Sequence, residues 1–237
     1  MKDFNKQLER IVLQGPAKDI ILYNANYFIL EKIANNHQAI NNSVYAKFFA
    51  LIQKNSLDFL CLRLCRMYEK SSKHSSQTFF EISNFIRKNK NDLYIYNKAA
   101  ANKFIEKKYD LKNDYILDSN DPVIDKKINT DISKSLGSYF PDKIKNPVLD
   151  KHFSKLWKLR SKEIAHNDIE QVTDRPTFEG MRLLLDNAIN IVNALTQIYF
   201  NAINMTPELK LSLIEDSKHA NDGLQKILDK ILLSDTT

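Results

Sequence analysis

Arg160-Ser161-Lys162-Glu163-Ile164-Ala165-His166-Asn167-Asp168 continues a segment that reads as a helix from about Asn146. At about 100° per residue, Leu149, Phe153, Leu156, Trp157 and Ile164 fall on one side of that helix. Arg160 lies in the middle of the apolar side, where a guanidinium is costly unless paired or hydrogen-bonded. His166 stands about 120° round from Arg160, and Asn167 follows one heptad later on roughly the same side. An arginine in an apolar stripe, then His-Asn-Asp near a helix end, is more than a structural helix needs.

The rest of the chain favours helices as well. Its 237 residues suffice for one sizeable core or two small ones, and 43% hydrophobic with 27% charged residues is ordinary for a globular protein. Four glycines and six prolines leave little punctuation for strands. Long Leu/Ile/Lys/Asn segments point to an all-α fold. We expect one domain over 1–237, an antiparallel multi-helix bundle joined mostly by short loops. No internal repeat, Gly-rich phosphate loop or low-complexity tail interrupts it.

Net charge is +6 with a pI near 9.1, an excess compatible with a polyanionic partner and with a Lys- and Asn-rich composition alike. Met1-Lys2-Asp3-Phe4-Asn5-Lys6 has no apolar leader pattern. The most apolar stretch, around 189–199, falls short of the roughly 18 uninterrupted apolar residues of a membrane span. A soluble cytoplasmic protein is the expectation. Cys61 and Cys65, four apart on one helical face, read as buried reduced thiols, because no zinc-spaced Cys/His set surrounds them. No cofactor is expected.

In order along the chain, Asp3–Gln14 reads as a short amphipathic helix closed by Gly15-Pro16. Lys18–Ala34 follows, with Ile20, Tyr23, Tyr27, Leu30 and Ile33 on its apolar face. Asn35-Asn36 and Asn41-Asn42-Ser43 mark a break. Val44–Glu69 is helical throughout, with Phe48, Leu51, Ile52, Leu57, Leu60, Leu64 and Met67 as its core stripe. Ser75 or Ser76 would cap the next helix, through Phe79, Phe80, Ile82, Phe85 and Ile86. The Lys/Asn/Asp/Tyr-dominated stretch 89–145 is expected as an insertion rather than core. It holds a helix near Asn97–Tyr109, a loop over Asn113–Pro122 and a short helix Asp125–Leu136 stopped by Gly137. Thr177–Asn204 is the longest apolar-periodic helix, lined by Met181, Leu184, Leu185, Ala188, Ile191, Val192, Leu195, Ile198 and Tyr199. A last helix begins near Thr206-Pro207-Glu208.

The segment around Arg160 resembles the Arg-x(4–6)-His motif of the HEPN superfamily, all-α proteins many of which are metal-independent ribonucleases. The longer string LRSKEIAHND, 159–168, looks like the abortive-infection, Abi-U type branch. A second stretch, SLDFLCLRLCRMYEKSSKHSSQTFFEISNFI at 56–86, is similar to that branch's long helix ending in Arg-x-aromatic-acid, a polar break and a second helix. The two stretches cover under half the chain. One position departs from the pattern: Ser161 stands where active members often carry Asn, Asp or another strongly polar residue.

The resemblance implies that His166 transfers protons and that Arg160 holds a phosphate or the charge of the transition state. Lys162, Asn167 and Asp168 would support the substrate, which would be RNA. These chemistries suit the residue types: histidine titrates near neutral pH, and arginine offers a fixed positive fork. One histidine and one arginine per chain make a thin site, which such ribonucleases complete by homodimerising. On that reading the apolar side around Arg160 is a dimer surface. The implied role is a toxin in phage defence, with a possible antitoxin as partner and no membrane.

Each residue also has a structural reading. Arg160 can pair with Glu69 or Asp186, His166 can cap a helix C-terminus, and Asn167 and Asp168 can end one helix or cap the next. Glu163 can orient the His166 ring or be a surface charge. A catalytically silent helical module that binds a protein or nucleic acid is therefore the second function class.

Overall fold

A computed structural model describes residues 3–70, 77–101, 122–144, 147–165, 172–200, 225–226 and 228–230. Among them every regular element is helical and there is no strand. His74, Ser75, Ser76, His166, Asn167 and Asp168 lie outside the described residues, as do the start of the last helix and all of the expected Asn113–Pro122 loop but Pro122, which is helical.

α1 (Phe4–Val12) is capped by Asp3, whose carboxylate accepts from the Lys6 N–H. It joins α2 (Lys18–Asn35) through a wide turn, Leu13–Ala17, in which Gly15 leaves helical geometry at φ −103° and ψ −109°. Glycine suits this turn because a Cβ there would meet the Gln77 carbonyl oxygen at 2.5 Å. Within the Asn-rich break lies a short helix, α3 (His37–Asn42).

α4 (Ala46–Tyr68) lies along α2. An ion-pair network sets their antiparallel register. Asp19, wholly buried in the first turn of α2, takes Arg63 Nη1 on Oδ1 at 2.9 Å and Arg66 Nε beside Oδ2 at 3.4 Å, both from the C-terminal half of α4. Burial raises the Asp19 carboxyl pKa, and the two arginines and Lys18 oppose it.

α5 (Phe79–Lys88) is capped by Thr78, whose hydroxyl accepts from the Glu81 N–H. Thr78-x-x-Glu81 has the capping-box spacing, so Thr78 supplies the cap assigned to Ser75 or Ser76. Asn97 caps a helical turn at 98–101 by accepting from the Ala100 N–H at 2.8 Å.

α6 (Pro122–Ile144) runs past Gly137 instead of stopping there. Here glycine allows a close approach, because a Cβ on Gly137 would strike the Arg87 side chain of α5. The Ser83 hydroxyl of α5 also donates to the Gly137 carbonyl at 2.5 Å. The stretch 89–145 is helical in part, as expected, but it does more than cover the core. Leu93, Ile95, Ala101, Ile128, Ile132 and Leu136 are core residues.

α7 (Pro147–Leu159) carries the motif and passes into a wider π-type turn, Arg160–Ala165. α8 (Phe178–Tyr199), capped by Thr177, forms the centre. All nine residues assigned to its apolar stripe are buried. It ends at Tyr199, because Phe200 is extended.

Two stripes need correction. In α4 the buried phenylalanine is Phe49, one heptad before Ser56, while Phe48 and Leu51 are each 56% exposed. On α7, Leu156 and Leu159 are buried and Leu149, Phe153 and Ile164 pack partly against the core, while Trp157 is 45% exposed. A smaller cluster joins Ile33, Ile40 and Phe49 to Leu228 near the C-terminus.

Candidate functional site

Leu156 and Leu159, buried one turn and one residue before it, fix where α7 delivers Arg160. Arg160 opens the π-type turn, a geometry in which hydrogen bonds span five residues and which recurs at functional sites. Its Nη1 donates to Glu69 Oε1 at 2.9 Å. The side chains remain 30% and 35% exposed, so the pair sits at a rim. Arg160 thus pairs with Glu69 within the chain, and the leucines beside it belong to the chain's own core. Its place in the apolar stripe does not require a dimer surface.

Glu69 is held by what precedes it. It leaves the end of α4 with extended backbone, directly after Tyr68. The Tyr68 hydroxyl donates to the Leu184 carbonyl of α8 at 2.5 Å and accepts from Asn187 Nδ2 at 3.0 Å. Its ring meets Phe79 of α5 and Phe153 of α7 at centroid distances of 5.3 and 6.0 Å. Burial keeps this phenol protonated well above the ordinary tyrosine range, against the opposing Asn187 bond. One tyrosine therefore anchors four helices beside the Arg160–Glu69 pair.

Glu163 accepts from the Val172 backbone N–H at 2.7 Å, and Arg175 Nη2 donates to its two oxygens at 3.1 and 2.8 Å. It ties the motif turn to residues 172–175, a role beyond the surface charge weighed for it. Asp58 of α4 completes this side: burial raises its carboxyl pKa, Lys54 and Arg175 lower it, and Glu163 adds to the rise. Lys162 is exposed on the same turn. His166, Asn167 and Asp168 fall between Ala165 and Val172, outside the described residues.

Asp58, Arg175 and Asn187 were not singled out in the sequence. A signal existed for Asp58: Asp58, Cys65 and Glu69, at steps of seven and four, share one face of α4.

Cys61 and Cys65 are buried free thiols, as the sequence suggested. Burial pushes both up to about 12; for Cys65, Cys61 and Glu69 add to the rise and Arg160 opposes it. Neither is a thiolate nucleophile at neutral pH. The folded thiols hold protons that an unfolded thiol releases near its ordinary value of 9.0. Stability is thus expected to fall as pH rises from about 9 towards about 12. Melting temperatures from about pH 8 to about pH 10 check this, and a Cys61→Ala, Cys65→Ala double variant should show a shallower fall.

Among the described residues, no group of three or more His, Cys, Asp or Glu is arranged to hold a metal ion. No helix among them is long and apolar enough to cross a membrane.

Among the described residues the fold is a strand-free helical bundle, and it brings Arg160 against Glu69, the acidic end of the upstream Arg66-x-Tyr68-Glu69 stretch. The model of the HEPN AbiU2 family matches residues 1–220 of the 237, and the chain belongs to that family. No curated protein and no solved structure matches it.

Proposed function

We propose that the chain is a metal-independent endoribonuclease, a toxin that aborts phage infection by cutting RNA in the cytoplasm. The observation that carries this reading is the Arg160–Glu69 pair. It holds a guanidinium in fixed orientation at a half-open rim, six residues before His166. The acidic partner orients the fork, which presents a fixed planar set of donors to a phosphate.

In this mechanism His166 takes the proton of a ribose 2′-hydroxyl. The freed oxygen attacks the adjacent phosphorus, the bond to the 5′-oxygen breaks, and that oxygen leaves with a proton. Arg160 stabilises the charge on the phosphorane oxygens. Lys162, Asn167 and Asp168 hold the flanking phosphate and sugar. The whole chain, 1–237, acts as one domain, and two copies place their Arg/His pairs in a shared cleft, so that one histidine can act as base and the other as acid. A neutralising antitoxin fits such a toxin as a further partner.

The same ion pair favours a second reading. A guanidinium already matched by a carboxylate, followed by Ser161, suits a catalytically silent module that binds a protein or nucleic acid. Labelled mixed-sequence RNA incubated in EDTA with wild type and His166→Ala decides between them, with the oligomeric state measured in parallel. The enzyme reading expects cutting by the wild-type dimer, 2′,3′-cyclic phosphate ends, and loss of cutting in the variant. A well-folded wild type that does not cut, a strict monomer, or equal cutting by both proteins supports the binding module.

A further inference from the structure

Leu228 is wholly buried, yet Lys226, Asp229 and Lys230 around it are exposed. The helical stretch that carries it therefore meets the bundle along one side. Its flank is stapled by Gln225, whose Nε2 donates to Asp229 Oδ1 at 2.8 Å, four residues on. Leu228 packs with Ile33 near the end of α2, Ile40 of α3 and Phe49 of α4, with Ile29 and Ile52 at the margin. This cluster stands apart from the main core.

The apolar surface of α4 does not end at that cluster. At about 100° per residue, Ile52 lies about 60° round the helix from Phe49, and Phe48 about 40° further in the same sense. Tyr45, at the N-cap, falls between Phe49 and Ile52. The Phe48 and Phe49 rings meet edge to face, with centroids 5.6 Å apart. Phe48 is nevertheless 56% exposed and Tyr45 39%, and Val44 and Leu51 extend the open apolar surface further round. An exposed apolar surface continuous with a buried cluster marks a docking face.

The sequence on either side of Leu228 supplies a matching stripe. Leu224 stands four residues before it, and Ile231 and Leu232 three and four after, all on its side of a helix, with Lys226 and Lys230 opposite. Whichever way the helix axis runs over the cluster, an apolar side chain follows Leu228 one turn on.

We propose that the chain's own C-terminal segment, 224–232, is the ligand of this face. It lies as a helix against α2, α3 and α4, keyed by Leu228, and its flanking apolar residues cover Phe48 and Tyr45. The recognition is that of an amphipathic helix laid by its apolar side on an apolar face. Tethering holds such a ligand at a local concentration of about 1 mM, so a free helix of the same kind enters only by displacing it. The proposal is independent of whether the chain cuts RNA.

Hydrogen exchange of the full-length protein, read by mass spectrometry over residues 221–234, tests the cover on Phe48. Phe48→Ser should speed exchange there at least about 10-fold, whereas Leu62→Ser, at an exposed leucine further along α4, should leave it unchanged. A fluorescein-labelled peptide of residues 221–234 tests the face itself. Full-length Leu228→Asp vacates the key position and should bind the peptide. Wild type, whose tethered segment competes, should bind it about 100-fold more weakly. Adding Phe48→Ser to Leu228→Asp should weaken binding at least about 10-fold, and a peptide carrying Leu228→Asp should not bind.

A Leu228→Asp protein that melts cooperatively and does not bind the peptide overturns the proposal, as does equal binding by wild type. If Leu228→Asp fails to fold, the exchange comparison of Phe48→Ser with Leu62→Ser decides alone. Unchanged exchange in Phe48→Ser overturns the proposal. Should that variant instead turn a dimer into a monomer, the face belongs to a second copy; should it abolish sedimentation with anionic vesicles, the face belongs to a lipid surface.

Discussion

Arg160→Ala is expected to slow RNA cleavage by about 10²–10³-fold, the range seen when one preorganised charge-stabilising donor is removed. Its cost in stability should stay below about 1 kcal/mol. The asymmetry follows from the position of the ion pair. Both side chains are about one-third exposed, so removing the guanidinium leaves Glu69 free to hydrate, and solvent-exposed pairs contribute little to folding. Catalysis has no such substitute, because water cannot reproduce an oriented fork at the phosphate. Arg160→Lys should recover only part of the rate, since an ammonium keeps the charge and loses the planar geometry. Glu69→Gln should slow cleavage less than Arg160→Ala does. Rates on labelled RNA and urea unfolding of the same preparations separate the effects. A variant that loses several kcal/mol yet cuts normally when folded would make the pair a structural tie.

Tyr68→Ala should have the largest effect on folding, about 3–5 kcal/mol, as for other large aromatic truncations in a core. Tyr68 is 1% exposed and packs against rings from α5 and α7. Its hydroxyl bridges the Leu184 carbonyl and the Asn187 amide of α8. Truncation opens a cavity where α4, α5, α7 and α8 meet, and a domain stable by about 5–15 kcal/mol has little to spare. Tyr68→Phe keeps the rings packed and removes only the hydroxyl, so about 1–2 kcal/mol is expected. Equilibrium unfolding of both variants tests the account: an alanine variant as stable as the phenylalanine one would show that the core collapses to fill the gap.

The centre of the fold was legible because α8 is buried on most sides, so every apolar step in its sequence became a core contact. Legibility failed where two faces of one helix are apolar. In α4, Phe48 and Phe49 are adjacent, and hydrophobicity alone does not say which meets α2; the heptad Phe49–Ser56 runs through a serine that periodicity discounts. Gly137 looked like a helix stop, because its reason for being glycine is Arg87, fifty residues away in sequence. Thr78 was passed over for a serine cluster, although Glu81 three residues later completes its cap. At the site, Glu69 had been weighed as a partner for Arg160, and the geometry selected it over Asp186. The helical wheel puts Trp157 at the edge of the apolar side, yet nearly half of it is exposed.

The turn that begins at Arg160 also bears on how such a motif can vary. Where hydrogen bonds close over five residues instead of four, one loop of helix contains an additional residue without lengthening much along its axis. The distance in sequence between Arg160 and whatever follows the turn is then a poor ruler for their distance in space. A deletion of one residue between Ser161 and Ala165 would restore ordinary winding and leave what lies beyond it nearly in place, whereas the same deletion within α7 would swing everything beyond it by about 100°. Spacing in this motif is counted in turns, and the count of residues can change only where the winding changes with it.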